Sequence, residues 1–201
     1  ASVEFRDFQL NSLHEGDSVL KFSAEKVFLQ FDVIELFTKN IDINRIDINN
    51  ANLFYRSDKS VQLRKEETKN SNIILNLNSL DVNNLKYTIL NNTKDFELKG
   101  FAEKTHIDGN LSLSEKELHI NSESFIDFLK IKDFPYLKNK KIEYSAEIYS
   151  SPGTYKLKEG KLELENLPFQ VNGSFNRNEK DIDLNISGQN IRIPELRLYL
   201  P

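Results

Sequence analysis

Apolar residues recur at every second position along nearly the whole chain. The pattern is clearest from Val27 to Phe31, from Ile46 to Ile48 and from Leu53 to Tyr55. Side chains of a β-strand point alternately to its two faces, so this period predicts strands with one apolar and one polar face. Turn-forming residues separate the runs, and no strand–helix–strand alternation interrupts them. The sequence therefore predicts an all-β fold whose neighbouring strands pair as an antiparallel meander.

The parity of the apolar positions changes twice between residues 23 and 55. One change lies near Glu25 and Lys26, and the other lies near Arg45. A single extra residue turns every following side chain to the opposite face, so we expect a β-bulge or a face switch near Glu25 and a β-bulge near Arg45. Bulges bend strands, and we therefore expect a long curled antiparallel sheet that forms a groove or a half-open barrel or sandwich.

Four segments depart from the strand pattern. Residues 33–38 and 125–131 carry apolar residues at the spacing of a short helix. Residues 58–72 are the least hydrophobic part of the chain, so we expect an exposed loop there. This loop is also where the chain, otherwise one domain over residues 1–201, would divide. The basic run 138–141 predicts a solvated loop.

Charge and cysteine content exclude several classes of function. Both signs of charge are interleaved over a formal net charge of −4, without the basic stripe that nucleic-acid binding requires. The chain has no cysteine, which excludes disulfides, thiolate zinc sites and cysteine nucleophiles. Hydrophobic residues make up 38% of the chain and are spread evenly, which favours an open architecture over a thick core.

The sequence does not assemble a catalytic or metal site. His14, His106 and His119 lack the spacing of a metal motif, so we expect surface roles for them. Asp42 and Asp183 alternate with apolar neighbours and therefore face water, with no reason to converge on a cleft. We expect a protein that is not an enzyme and that has no catalytic residue, metal or cofactor.

Two interpretations of the apolar face stay open at this point. In the first, apolar faces pack on each other as the core of a structural or adhesive β-sandwich, as in a cell-surface protein. In the second, one apolar face lines a trough for acyl chains. The 14 phenylalanines and 7 tyrosines serve either interpretation, because both use the same inward side chains.

The order of small, apolar and aromatic residues in the opening stretch follows a recognisable pattern. It consists of Ala24, the run Val27-Leu29-Phe31, the insert 33–37, the isoleucines at 41, 43, 46 and 48, and Ala51-Leu53-Tyr55. This order resembles the N-terminal segment of AsmA-like proteins, the bacterial envelope relatives of bridge-like lipid-transfer proteins. Residues 72–109 and 160–191 are similar to later sections of the same family, in which glycines such as Gly173 and Gly188 close strands.

The resemblance implies a non-enzymatic periplasmic module that binds or guides phospholipids or other acyl lipids in outer-membrane biogenesis and homeostasis. It also implies an inner-membrane anchor outside this chain. The chain has no methionine, even at its first position, so we expect a soluble fragment of a longer protein. The apolar candidates for the lipid groove are Val27, Leu29, Phe31, Leu36, Ile46, Ile48, Leu53, Tyr55, Leu75, Leu77, Leu85, Tyr87, Leu98, Leu111 and Leu113.

Overall fold

The computed structural model consists of one large β-sheet. It describes residues 1–14, 18–32, 40–57, 74–111, 116–151, 153–176, 181–188, 191–192 and 194. The strands are β1 Ser2–His14, β2 Ser18–Phe31, β3 Asn40–Ser57, β4 Ile74–Leu77, β5 Ser79–Asn91, β6 Phe96–Leu111, β7 Lys116–Ile131, β8 Phe134–Ser151, β9 Thr154–Leu164, β10 Leu167–Asn176 and β11 Asp181–Gly188.

The strands follow the order β1-β2-β3-β5-β6-β7-β8-β9-β10-β11, and β4 pairs with β3 ahead of β5. All neighbours are antiparallel except β3 with β4 and β3 with β5, which are parallel. The predicted antiparallel meander is therefore wrong at this one place. A parallel pair needs a connection of about a dozen residues or more, and residues 58–73 supply that length between β3 and β4.

The sheet is open and has a single layer in the part of the chain that the structure describes. The end strands β1 and β11 each pair on one side only. Apart from β4 with β6, the described strands make their substantial contacts only with hydrogen-bonded neighbours. The accessible surface is 14197 Å², whereas a compact protein of 23.4 kDa exposes roughly 9,700 Å². The predicted all-β open sheet is thereby confirmed.

One extra residue in each of five neighbouring strands forms a line across the sheet, which we call the crease. Its members lie between the paired residues on either side and are Asp7, Glu25, Asn50, Asn84 and Glu103. Three of them have left-handed backbones, with φ of 51° at Asp7, 52° at Asn50 and 58° at Asn84. Asn and Asp are the non-glycine residues that adopt this conformation most readily.

The crease explains the parity change near Glu25. We expected a bulge there, but β2 keeps one register with both β1 and β3 across this point. The expectation of a bulge is wrong because each neighbouring strand carries its own matching extra residue. Strand β7 has none, so the register shifts where β6 meets it, between Ala102 and Lys104. Near Arg45 the predicted bulge is confirmed, since Asn44 has no partner between Arg45 and Ile43.

Residues 125–131 belong to strand β7, so the predicted short helix is wrong. The misleading signal was the three-residue spacing of Ile126 and Leu129. Asp127 is an extra residue between them, and it lies opposite Asn139 of β8, whose φ is 53°. The insertion puts Ile126 and Leu129 on the same face of a strand, which imitates helical spacing.

The basic run 138–141 also lies within a strand, β8, so the predicted loop there is wrong. Strand β8 pairs with β7 over this run, with Lys138 opposite Phe128 and Lys141 opposite Phe125. The predicted helical turn at 33–38 and the predicted loop at 58–72 lie outside the described residues.

A substitution in the crease tests its backbone conformation. We expect Asn84→Val to lower the free energy of unfolding by about 1–2 kcal/mol, because a β-branched residue disfavours the left-handed φ of 58°. The substitution also removes the 3.1 Å hydrogen bond that Asn84 Nδ2 donates to Asn50 Oδ1. Urea denaturation measures the change. Asn52→Val, at an exposed position of β3, is the matched control, with an expected change within about 0.5 kcal/mol. Equal effects of the two substitutions would contradict the role of the crease.

Candidate functional site

The apolar face is built from rows of side chains that run across the strands. The row beside the crease, which we call the floor row, crosses nine strands. It comprises Phe8, Ala24, Ala51, Leu85, Ala102, Ser124, Ile142, Leu164 and Leu167. On the other side of the crease, the middle row comprises Phe5, Val27, Ile48, Val82, Thr105, Ser122, Tyr144, Leu162 and Phe169.

These two rows contain every buried hydrophobic residue of the described chain. Ala24 and Ala51 are 3% and 1% exposed, and Val27 is 8% exposed. The residues that pack against this group, including Phe22 and Leu85, come from the same face. The core of the protein is therefore a strip along these two rows, made by neighbours on one face of one sheet. It follows the crease from β1 to β6 and continues beyond it to Ile142, Leu164 and Leu167 in β8 to β10.

The next row, which we call the long row, is apolar or glycine in all ten strands of the sheet path. It comprises Val3, Leu29, Ile46, Leu80, Ile107, Ile120, Ala146, Gly160, Val171 and Ile186. At a strand spacing of about 4.8 Å, nine steps give a row on the order of 43 Å long. Its two ends are exposed, Val3 by 38% and Ile186 by 56%. No described strand lies over it.

The structure brings most of the predicted groove residues onto this face. Val27 and Ile48 lie in the middle row, Leu29 and Ile46 in the long row, and Leu85 in the floor row. The others with described side chains extend the face at its two ends. At one end, Leu53 pairs with Tyr87, while Ile89 pairs with both Tyr55 and Leu98. At the other end, Ile43 pairs with both Phe31 and Leu77.

Four candidates contribute less. The structure describes the strand pairing of Leu75, opposite Ile41, and of Leu111, opposite Lys116, but not their side chains. Leu36 and Leu113 lie outside the described residues. The role of all fifteen candidates in lipid binding stays a prediction.

The candidate list omitted the part of the face that the second half of the chain builds. Ile120, Ile142, Leu162 and Leu164 continue the same rows over β7 to β9. The same period of two marked them in the sequence. What the sequence lacked was the register, because only strand pairing shows that these residues align with Ile46, Ile48 or Ala51.

A chain of hydroxyl groups interrupts the apolar face near its centre. Thr105 Oγ1 lies 2.8 Å from Ser122 Oγ, which lies 3.1 Å from Ser124 Oγ. Ser122 and Ser124 are 5% and 8% exposed. Because the hydroxyls bond to one another, they are buried here without a large desolvation penalty.

Tyr87 lies over a glycine on the same face. A side chain at Gly100 would meet the Tyr87 hydroxyl and the carbonyl oxygen of Phe125, each at 2.5 Å, so the position has room only for glycine. Burial of the Tyr87 phenol raises its pKa, and the negative charges that Tyr144 and Asp127 can carry raise it further.

A cavity among the described residues overlaps these rows only in part, at Ser122, Tyr144, Leu162 and Phe169 of the middle row and Leu167 of the floor row. It measures about 1200 Å³, and most of its lining alternates with the middle row, on the polar face of β5 to β11. None of the predicted groove residues lines it. Its charges are mixed, with Lys104 and Lys161 beside Glu123, Glu143 and Glu163. A twisted sheet curves along opposite diagonals on its two faces, so a hollow on the polar face is compatible with a trough on the apolar face.

His106 belongs to a surface network rather than to a metal site. Its Nδ1 lies 2.7 Å from Asp81 Oδ1, and Asp81 also meets Arg45 Nη2 at 3.3 Å. Arg45 Nε donates to Asp47 at 2.6 Å, which raises the pKa of the arginine. Among the described residues, no group of three or more His, Cys, Asp or Glu is placed to hold a metal ion. The described part of the chain also contains no helix with the length and hydrophobicity to cross a membrane.

Comparison with known proteins gives no family. No protein-family model matches the chain, and no curated protein matches it closely enough to count as a relative.

The raised pKa of Tyr87 predicts a pH dependence of stability. Because the fold favours the neutral phenol, its contribution is complete below the ordinary tyrosine pKa of about 10 and is lost as the pH rises through the higher folded value. We expect Tyr87→Phe to flatten the loss of unfolding free energy above about pH 10, as measured by urea denaturation at several pH values. Parallel curves for the variant and the natural protein would contradict this prediction.

Proposed function

We propose that the apolar face binds the acyl chains of lipids and that the protein is a non-enzymatic carrier module. The observation that supports this most is the long row, which is continuous over ten strands and is uncovered by any described strand. Exposed apolar surface on this scale marks an interaction site in most proteins. The row is also open at both ends. A ligand shaped like a chain could slide along a surface only if its ends were open.

The mechanism needs only burial of hydrocarbon. Each methylene transferred from water onto the face contributes about 0.8 kcal/mol, while the headgroup stays in water at the rim. Aliphatic side chains such as Ile107 and Ile120 offer no directional contact, so binding would discriminate little between acyl chains. Weak discrimination suits a protein that guides lipids along a face rather than one that retains a single ligand.

The resemblance to AsmA-like proteins supplies the rest of the proposal. By that resemblance the module works in the periplasm, is anchored to the inner membrane through a segment outside this chain, and takes part in outer-membrane biogenesis. Phospholipids are then the principal ligands. The single open layer of described strands favours this proposal over an adhesive β-sandwich, whose core needs a second sheet.

Site-specific photo-crosslinking tests the proposal without relying on destabilising variants. We place p-benzoylphenylalanine at Ile120, which pairs with Ile107 in the long row, or at the adjacent Asn121, which faces the opposite side. The protein is mixed with phospholipid vesicles, irradiated and digested, and lipid adducts are measured by mass spectrometry. We expect an adduct yield at Ile120 on the order of ten times that at Asn121, because only the apolar face solvates hydrocarbon.

Asn121 is the matched control, since it lies in the same strand and one residue away. Equal yields at the two positions, or no adduct at Ile120, would contradict acyl-chain binding by this face. Circular dichroism before irradiation verifies that both labelled proteins retain the sheet.

A further inference from the structure

Two adjacent rows on the polar face combine lysine with phenylalanine. The first is Asn11, Lys21, Phe54, Thr88, Lys99, Phe128 and Lys138, and the second is Gln9, Ser23, Asn52, Lys86, Phe101, Phe125 and Lys141. The two rows contain no carboxylate. We call their lysines and phenylalanines the lysine–phenylalanine patch.

The patch is assembled by strand pairing and is invisible as a run of sequence. Its lysines come from β2, β5, β6 and β8, and its phenylalanines come from β3, β6 and β7. From Lys21 in β2 to Lys138 in β8 the sheet takes five strand steps, which is on the order of 24 Å. The folded surface therefore carries a group of basic side chains, although the linear sequence shows no basic stripe.

The positive charge of the patch is only partly neutralised. Lys99 Nζ lies 2.6 Å from Glu97, and Lys141 pairs with Glu143, whose carboxylate raises the pKa of the lysine. Within the described residues, Lys21, Lys86 and Lys138 form no ion pair. One carboxylate, Asp127, lies within the patch as the extra residue of β7 between Phe125 and Phe128. The others lie beyond the two rows, at the crease, at Glu97 beside Lys99, and in the row of Glu123, Glu143 and Glu163.

The phenylalanines lie between the lysines at the surface. Phe125 is 38% exposed, and the others are half-buried. Near one end, a hollow of about 380 Å³ is lined by Lys21, Phe54, Lys86 and polar neighbours, together with Phe22 and Leu53 of the apolar face. Aromatic side chains at the surface with lysines beside them are typical of proteins that bind at a membrane interface, where rings enter the headgroup region and lysines meet anionic lipids.

We propose that the lysine–phenylalanine patch docks on an anionic phospholipid surface. Single-stranded nucleic acid is the other polyanion that aromatic and basic side chains bind, but its recognition favours arginine, which grips phosphate in a bidentate way and stacks on bases. The patch contains lysine only. Attraction of separate ammonium groups to a sheet of headgroups needs no fixed geometry, which fits five lysines spread over two rows.

Vesicle flotation measures the interaction. The probe is a vesicle of phosphatidylcholine with about one-third phosphatidylglycerol, compared with pure phosphatidylcholine, in about 0.05 M and about 0.5 M salt. We expect binding to the anionic vesicles that falls with salt. The variant K21Q/K86Q/K138Q should weaken the partition coefficient on the order of 100-fold, because each lysine near the surface contributes roughly fivefold.

The matched control is K104Q/K156Q/K161Q, which makes the same change of charge on the same face beyond the crease. Lys104 and Lys161 lie in rows that the crease separates from the patch. Lys156 lies in β9. We expect the control to lose far less than the patch variant. A third variant, Phe125→Ser, should weaken binding severalfold while its salt dependence is kept, because the ring contributes by insertion and not by charge.

Three outcomes would overturn the proposal. The first is no preference for anionic vesicles, and the second is an equal loss in the patch variant and the control. The third is displacement from vesicles by a single-stranded oligonucleotide that binds more tightly with the same lysine dependence, which would assign the patch to nucleic acid. Docking by the polar face and acyl binding by the apolar face fail separately, since flotation reports the first and the adduct at Ile120 reports the second.

Discussion

The alignment of extra residues across five strands is the constraint on which the sheet depends. A single extra residue in one strand would turn half of its apolar side chains to the wrong face. Because Glu25, Asn50 and Asn84 each add one at the same level, the neighbouring strands turn together and keep their register. Hydrogen bonds join these side chains across the strands, from Asn50 Nδ2 to Glu25 at 2.6 Å and from Asn84 Nδ2 to Asn50 at 3.1 Å.

From β1 to β6, the single layer of strands buries its side chains in the two rows beside the crease. A flat sheet without a second layer leaves its side chains standing in water, yet Ala51 is 1% exposed and Val82 is 7% exposed. Both lie beside the crease. Larger side chains such as Phe22, Leu29 and Leu85 pack against the buried group of Ala24, Val27 and Ala51. Away from this strip the apolar side chains are only half-buried, which leaves the long row available to a ligand.

The strands and the apolar face were predictable from the sequence, because a period of two depends only on neighbouring residues. Pairing was not. The parallel contact of β3 with β5 depends on where the chain returns after residues 58–73, and no local pattern encodes that return. The helix predicted at 125–131 failed for a related reason, since the extra residue Asp127 produces a spacing of three that looks helical in one strand and makes sense only beside Asn139.

The polar face shows the same limit more sharply. Lys21, Lys86 and Lys138 are far apart in the sequence and lie in two adjacent rows of the sheet. The sequence shows no basic stripe, because charges of both signs are interleaved along the chain and only the fold separates them by face. The charge of each face of a β-protein can therefore be assigned only after the register is known, because the register shows which residues share a row.

The two faces constrain each other, because the same strands carry both. Lys86 of the patch lies between Leu85 and Tyr87, which point to the apolar face. A sheet lying flat on a bilayer through its lysines would hold its apolar trough away from that bilayer. An acyl chain would then have to pass around a border of the sheet. Apolar residues lie at such a border, at the turn between β7 and β8 beside the patch, where Phe134 is 53% exposed and Ile131 is 39% exposed. A lipid that leaves the membrane at this border would exchange one apolar contact for another without crossing the polar face. Since exposure of each methylene to water costs about 0.8 kcal/mol, a continuous apolar path is what separates guided transfer from release into water.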